Sequence, residues 1–417
     1  MWFYVQKVLI AYQRADAAAH DRPRGNLSDL YPRWLGAREL LLHQRDPYSP
    51  EVTREIQAGY YGRPLDPNRP NDPKDQQGFA YPVYVVFLLA PTITLPFSAV
   101  QAGFCWFLVV LTAATVPLWL RALRWRPSRT TVAILTIFTL GSFPAVQGIK
   151  LQQLSLLVSG LLAACAALLA AGHLLAAGVL LAIATVKPQL ALPLAAWLLL
   201  WAGSDWRHRH RFFWGFCGTM AILLAAAHYV LPGWLVRFRD ALAAYRDYTG
   251  GAQSVLDLLT TPALGRILAV LILIVLAAVC WRMRRAPADS ERFAQATVLV
   301  LAVTIVVIPT FAPYNQLLLL PAVFLLIRHR SILWRENVNL RLAVGIAVLI
   351  VVWPWLVALA MALASLILPP EAVQRAWFVP FYTSNIIPIT VLALFGFTMR
   401  RLVGPLSDAG RDSRSSR

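Results

Sequence analysis

An all-α polytopic membrane protein is the fold class that three features of the sequence predict. Of its 417 residues, 58% are hydrophobic and 14% charged, with a mean hydropathy of +0.59, more apolar surface than a single water-soluble core buries. Apolar runs of helical length recur along the chain, separated by short basic clusters. Those clusters fall in alternate loops, the pattern that orients membrane helices, so the net charge of +18 reads as topology rather than as a nucleic-acid surface. The four cysteines, Cys105, Cys165, Cys217 and Cys280, lie singly in apolar segments without the paired spacing of a zinc or redox motif.

The chain opens on "MWFYVQKVLIAY". Residues 1–12 are expected as a stunted first membrane helix, because at about 1.5 Å per residue they fall short of a hydrocarbon core of about 30 Å; the alternative is a sequence lacking its true start. No basic n-region and no small-residue cleavage site mark it as a signal peptide. Residues 13–98 are expected to form one long outer loop. Within it, "YPVYVVFLLAPTITLPF" at 81–97 carries prolines at 82, 91 and 96, which suits a short helix that dips into the outer leaflet and returns. Apolar stretches then lie near 101–120, 130–146, 153–171, 173–186, 189–203, 212–231, 264–281, 294–308, 315–327, 342–368 and 384–399. With the first helix they predict a bundle of about 11–13 transmembrane helices, its main body spanning 99–399. The tail, 400–417, is expected in the cytoplasm without fixed structure.

Arginine placement sets the orientation. The clusters "RALRWRPSR", "WRHRHR", "WRMRRAPADSER", "RHRSILWRENVNLR" and the tail from Met399 hold 20 of the 38 Lys and Arg residues, which assigns them to the cytoplasm. The alternating loops at 147–152, 187–188, 232–263, 309–314 and 369–383 are basic-poor and face outward, as does 13–98. That outer loop contains half of the chain's 20 acidic residues. No Asp or Glu lies convincingly within a span, which weighs against an ion-coupled transporter, since those carry intramembrane carboxylates.

Chemistry concentrates on the outer face. In "NLSDLYPRWLGARELLLHQRDPYSP", Pro32 suits the first turn of a helix that runs to "RDPY". Asp29 therefore sits just before a helix N-terminus, among Tyr31, Arg33 and Trp34, which can shape a substrate site by stacking and charge; the plain alternative is a helix cap. Asp46, beside Pro47 and Tyr48, reads as a turn residue and as a second substrate-site candidate. "TVKPQLALP" sets Lys187 and Gln189 at the outer end of a span. Lys187 either snorkels to the interface or holds a lipid-linked phosphate beside opened backbone amides. "GIKLQQLS" offers Lys150, Gln152 and Gln153 at the next outer turn.

Taken in order, "DLY" before a helix ending in "DPY", "YPV" opening a short dip, a "Q-x-S" turn, a "KPQ" turn and a late "FAPYNQLLLLP" resemble glycosyltransferase family 87 over roughly residues 26–320. These are polyprenyl-phosphate-sugar-dependent transferases of the GT-C superfamily, best known as mannosyltransferases of bacterial cell-envelope glycolipids. The resemblance implies a GT-C-type bundle with a large first outer loop and Asp29 as the catalytic base. It implies a donor-phosphate site at Lys187, Gln189, Lys150 and Gln153. It further implies transfer of a hexose, mannose foremost, with inversion, to a glycolipid or glycan on the outer face of a bacterial inner membrane. Two departures stand out. The first span is short, and the late outer loop offers Tyr314, Asn315 and Gln316 where related enzymes often place a histidine. A monophosphate leaving group and the lack of tightly spaced carboxylates predict neither metal nor cofactor. The alternatives are a lipid-linked-sugar flippase or facilitator, with the outer loop as its lid, and a non-catalytic scaffold for envelope assembly.

Overall fold

A computed structural model describes residues 1–402 apart from 23–24, 67, 249–252, 310–311 and 336–337. The tail beyond residue 402, expected to lack fixed structure, lies outside the described residues. Every regular element among those described is helical. Each of the eleven apolar stretches holds a helix, and the helices sort by length.

Five are long and apolar enough to cross a membrane: Phe97–Ala122, Trp206–Val230, Pro262–Met283, Val338–Ala364 and the helical stretch Pro370–Met399. A sixth crossing arises if Arg129–Leu140 and Phe143–Lys150, bent by 55° at their junction, are one broken span. Leu154–Ala170, Leu174–Ala184, Pro188–Gly203 and Pro313–Arg328 are apolar but shorter, so the 11–13 helices read from the sequence include several that length alone does not qualify as spans. The short helices occupy the centre: Leu154–Ala170 buries residues on all sides, from Leu154 to Leu169, as a helix apolar all round must. The long ones form the perimeter, with Ile267, Val270 and Leu271 on one and Leu342, Ile346 and Leu349 on another left exposed.

The tightest helix pair is Leu174–Ala184 against Trp206–Val230, where two glycines let the backbones meet. A Cβ on Gly178 would lie 2.3 Å from the Phe212 carbonyl oxygen, and one on Gly215 would lie 2.3 Å from that of Leu175. Small residues are the usual means of close approach in lipid, where no hydrophobic force favours one helix over the acyl chains.

The N-terminal helix is longer than its apolar run. A π-helical stretch at Tyr4–Leu9 continues into Ile10–Ala19, carried past residue 12 by the good helix formers of "RADAAA". Tyr4, Val5 and Val8 pack with Phe143, Val146 and Met361 in a satellite core. Segment 81–97 contains only the helix Val85–Leu89 and a 3-10 turn, Ala90–Thr92, about 12 Å of helix at most and too short to cross a bilayer. It packs on the Tyr31–His43 helix of the first loop. That helix starts with Pro32 in its first turn and stops where Gln44 turns left-handed at φ 55°. The next, Pro50–Tyr61, is capped by the Ser49 hydroxyl, which accepts from the Val52 N–H.

Candidate active site

Three connections converge at one end of the central helices. The first is the loop entering Tyr31–His43; the second joins Phe143–Lys150 to Leu154–Ala170; the third joins Leu174–Ala184 to Pro188–Gly203. The Asp29 N–H donates to the Leu151 carbonyl at 2.9 Å, fastening the first to the second. Gln152 adopts φ 50° in that turn, donating its side-chain amide to the Ile149 and Lys150 carbonyls, while Gln153 projects inward and is 5% exposed.

Gln153 joins the two groups of opposite charge. Its Nε2 donates to Asp29 Oδ2, and its Oε1 accepts from Lys187 Nζ at 3.3 Å. The amide orientation is chemically fixed, since the reverse would set a carbonyl oxygen against a carboxylate and an N–H against an ammonium. Lys187, 6% exposed, also donates to Ser155 Oγ and stands 5.0 Å from the Tyr314 ring centroid, a cation–π distance. Asp29 accepts a second hydrogen bond at Oδ1 from the Tyr60 hydroxyl at 3.3 Å. Arg33 donates to the Asp29 carbonyl at 2.8 Å and lies 4.4 Å over the Tyr81 ring.

Burial raises the Asp29 pKa above its ordinary value, with Arg33, the Gln153 amide and Lys187 pulling the other way. In the turn, burial lowers the Lys187 pKa, opposed by Tyr81. A carboxylate held less acidic than usual is a stronger proton acceptor once ionised.

A cleft of about 400 Å³ opens above this group. Gln153, Lys187 and Arg33 line it with Tyr81, Tyr314 and Asn315. The amphipathic helix Trp234–Tyr248 covers it, contributing Phe238, Leu242, Tyr245 and Arg246. Asn315 is 3% exposed, and among the described residues its Oδ1 has no hydrogen-bond partner, which leaves a buried acceptor in a polar cleft wall. Asp29 is not among the lining residues. It meets the cleft through Gln153.

The expected residues divide into three groups. Asp29, Arg33, Gln153, Lys187, Tyr314 and Asn315 come together at the cleft, and Gln189 stands exposed at its edge. Tyr31 and Trp34 lie behind it: Tyr31 packs edge-on to Phe97, and the Trp34 indole donates to the Thr92 carbonyl at 3.2 Å, so both brace the loop that carries Asp29. Lys150 and Asp46 stand apart. The Lys150 ammonium sits 5.2 Å over the Trp2 ring. Asp46 accepts from the Tyr48 N–H at 2.9 Å and pairs with Arg237 at 3.1 Å, which ties the first loop to the covering helix.

The cap reading of Asp29 fails on geometry. No side chain caps the Tyr31–His43 helix, because the Asp29 carboxylate is turned away to Gln153 and Tyr60. Several site residues escaped the sequence reading. Tyr81 and Ser155 lie inside the "YPV" and "Q-x-S" stretches without a role of their own, and Tyr60 gave no local signal. The covering helix had one: Trp234, Phe238, Ala241, Tyr245 and Tyr248 recur at helical spacing in the long loop at 232–263.

The sequence profile of glycosyltransferase family 87 matches residues 79–309. No curated protein and no solved structure matches the chain. The matched region holds Tyr81, Gln153, Lys187 and the covering helix. Asp29, Arg33, Tyr314 and Asn315 lie outside it and join the site through the contacts just described.

Proposed function

The chain belongs to glycosyltransferase family 87 and is a membrane glycosyltransferase, and from that premise we propose that it moves a hexose, mannose foremost, from a polyprenyl-phosphate donor to an envelope glycolipid or glycan on the outer face of a bacterial inner membrane. Membership in an enzyme family sets aside the flippase and scaffold alternatives. The observation that carries the reading is the Asp29–Gln153–Lys187 bridge at the cleft. It supplies one carboxylate for the acceptor and one cation for the departing phosphate, the two groups that displacement at an anomeric carbon needs.

In the proposed reaction the acceptor hydroxyl oxygen bonds to the anomeric carbon and its proton passes to Asp29. The bond from that carbon to the phosphate oxygen breaks, and its electron pair leaves on the polyprenyl phosphate. Attack opposite the leaving group inverts the centre. Lys187, held by Ser155 and Gln153, meets the charge growing on the phosphate, with Gln189 at the cleft edge. Lys150, drawn off by Trp2, is omitted from the phosphate site. Phe238 and Leu242 of the covering helix give the first prenyl units an apolar wall, and Asn315 is placed to accept from a sugar hydroxyl.

The test is to incubate the purified full-length protein in lipid nanodiscs with a panel of radiolabelled polyprenyl-phosphate sugars and a bacterial glycolipid extract. Transfer from one or more donors, abolished by Asp29→Asn, is the expected result. Transfer that persists in Asp29→Asn overturns the assignment of the base.

A further inference from the structure

A second cleft, about 530 Å³ in volume, has Tyr60 in its wall, and the Tyr60 hydroxyl donates to Asp29 Oδ1 behind it. Its wall differs in chemistry from that of the first. Tyr60 and Tyr61, edge-to-face with centroids 4.8 Å apart, stand with Arg22, Lys74, Asp72 and Asp75. Two basic and two acidic side chains balance, so the wall has no net attraction for a phosphate. Neither does it carry a run of aliphatic side chains against which an acyl or prenyl chain would gain by burial. Several of its groups are fixed in place: Asp72 pairs with Arg63 at 2.6 Å, Arg22 bonds Asp16, and the Tyr61 hydroxyl donates to the Asp75 carbonyl at 2.7 Å. Fixed donors and acceptors beside aromatic faces match a neutral, hydroxyl-rich ligand, whose C–H faces stack on rings while its hydroxyls both give and accept hydrogen bonds.

The two oxygens of Asp29 divide between the clefts. Oδ2 is held by Gln153, a lining residue of the Lys187 cleft, and Oδ1 meets Tyr60, a lining residue of the second. We propose that the second cleft binds the sugar headgroup of the acceptor and delivers the attacking hydroxyl to Asp29 Oδ1, with Tyr60 as a positioning residue. This rests on the assignment of Asp29 as base. Donor and acceptor then approach one carboxylate by separate routes, and the acceptor's route is carbohydrate-selective rather than lipid-selective.

Cysteine protection in full-length protein in nanodiscs tests it. Asn71→Cys marks the second cleft and Leu242→Cys the first, each compared with the parent for background labelling by a maleimide. The sugar probes are maltotriose and methyl α-mannoside; the lipid-phosphate probe is dodecyl phosphate. We expect a sugar probe to slow labelling at Asn71→Cys by about fivefold near saturation and dodecyl phosphate to leave it unchanged, with the reverse at Leu242→Cys. Dodecyl phosphate protecting Asn71→Cys, or no protection there by either sugar up to about 10 mM, the range of weak carbohydrate binding, overturns the proposal. Tyr60→Phe should raise the acceptor KM or lower turnover while leaving the donor KM unchanged, and an unchanged pair of values removes Tyr60 from the positioning role. Asp29→Asn separates the two readings. Loss of turnover with sugar protection retained upholds both, whereas retained turnover removes the base and leaves the protection result to decide the cleft alone.

Discussion

Gln153 donates its side-chain N–H to Asp29 across 124 residues of sequence while its carbonyl oxygen accepts from Lys187. One neutral amide therefore orders a carboxylate and an ammonium in a buried setting without pairing them directly. A direct ion pair would leave neither group open to a ligand; the bridge leaves Asp29 Oδ1 with only a 3.3 Å contact from Tyr60.

Asp29→Asn keeps the shape and removes the basicity. Turnover should fall about a hundredfold or more, with donor binding intact. Because the folded-state pKa of Asp29 is raised, its ionised form disfavours folding above that pKa, so the variant should melt at the same or a higher temperature at pH 7. A cap would instead lose about 0.5–2 kcal/mol if its side chain were removed. Single-turnover kinetics and thermal unfolding in detergent separate these outcomes.

The acid limb of kcat/KM should lie above the ordinary aspartate value of about 3.9, with activity lost as pH falls through the raised pKa of Asp29. Gln153→Glu places a second carboxylate against the first, and like charges raise the pKa further. The limb should then move upward by about one unit or more. A pH profile showing no shift, or a downward one, would separate Gln153 from Asp29 in solution.

Lys187→Ala should weaken donor binding about ten- to a hundredfold, the equivalent of about 1.5–3 kcal/mol for a charge-assisted hydrogen bond. Titration with a polyprenyl phosphate measures it. Unchanged affinity would return Lys187 to an interfacial lysine that bonds Ser155 and nothing else of consequence.

Asn315→Leu removes an acceptor that has no partner among the described residues, so folding should lose little. Discrimination among hexose donors should relax by about tenfold or more, because a wall that hydrogen-bonds one sugar hydroxyl rejects its epimers through the bond left unmade. Competition between two labelled donors reads the ratio.

Gly178→Val sets side-chain carbon against backbone at Phe212 and Gly215. Backbone cannot give way as a flexible side chain does, and overpacking of this kind costs about 1–3 kcal/mol. A lowered melting temperature is expected, with Gly218→Val, whose Cβ meets nothing within 4 Å, as the neutral control.

The helices were legible because lipid demands long apolar runs and internal backbone hydrogen bonding, and both leave marks in the residues themselves. Lys187 and Asp29 were legible as charges in settings where charge is costly or focused. Their partnership was not. Tyr60 and Ser155 serve through contacts with Asp29 and Lys187, residues far from them in the chain, and no local spacing encodes those. Lys150 shows the converse: its turn looked the same as that of Lys187, but a ring from the N-terminal helix, Trp2, lies beneath it. Helix lengths were the coarsest part of the reading, since short central helices and full spans share one composition.

The glycine-to-backbone contact between Leu174–Ala184 and Trp206–Val230 reaches beyond stability. The first of these helices leads directly into the turn that holds Lys187, and it is located by protein atoms on the far side of that contact rather than by headgroups. Bilayer thickness acts on the perimeter, where Pro262–Met283 and Val338–Ala364 present their sides to the acyl chains and can tilt at modest cost. The depth of the cation is thereby insulated from the membrane around it, and under the proposed function donors with the same phosphate but prenyl tails of different length would meet it at one height.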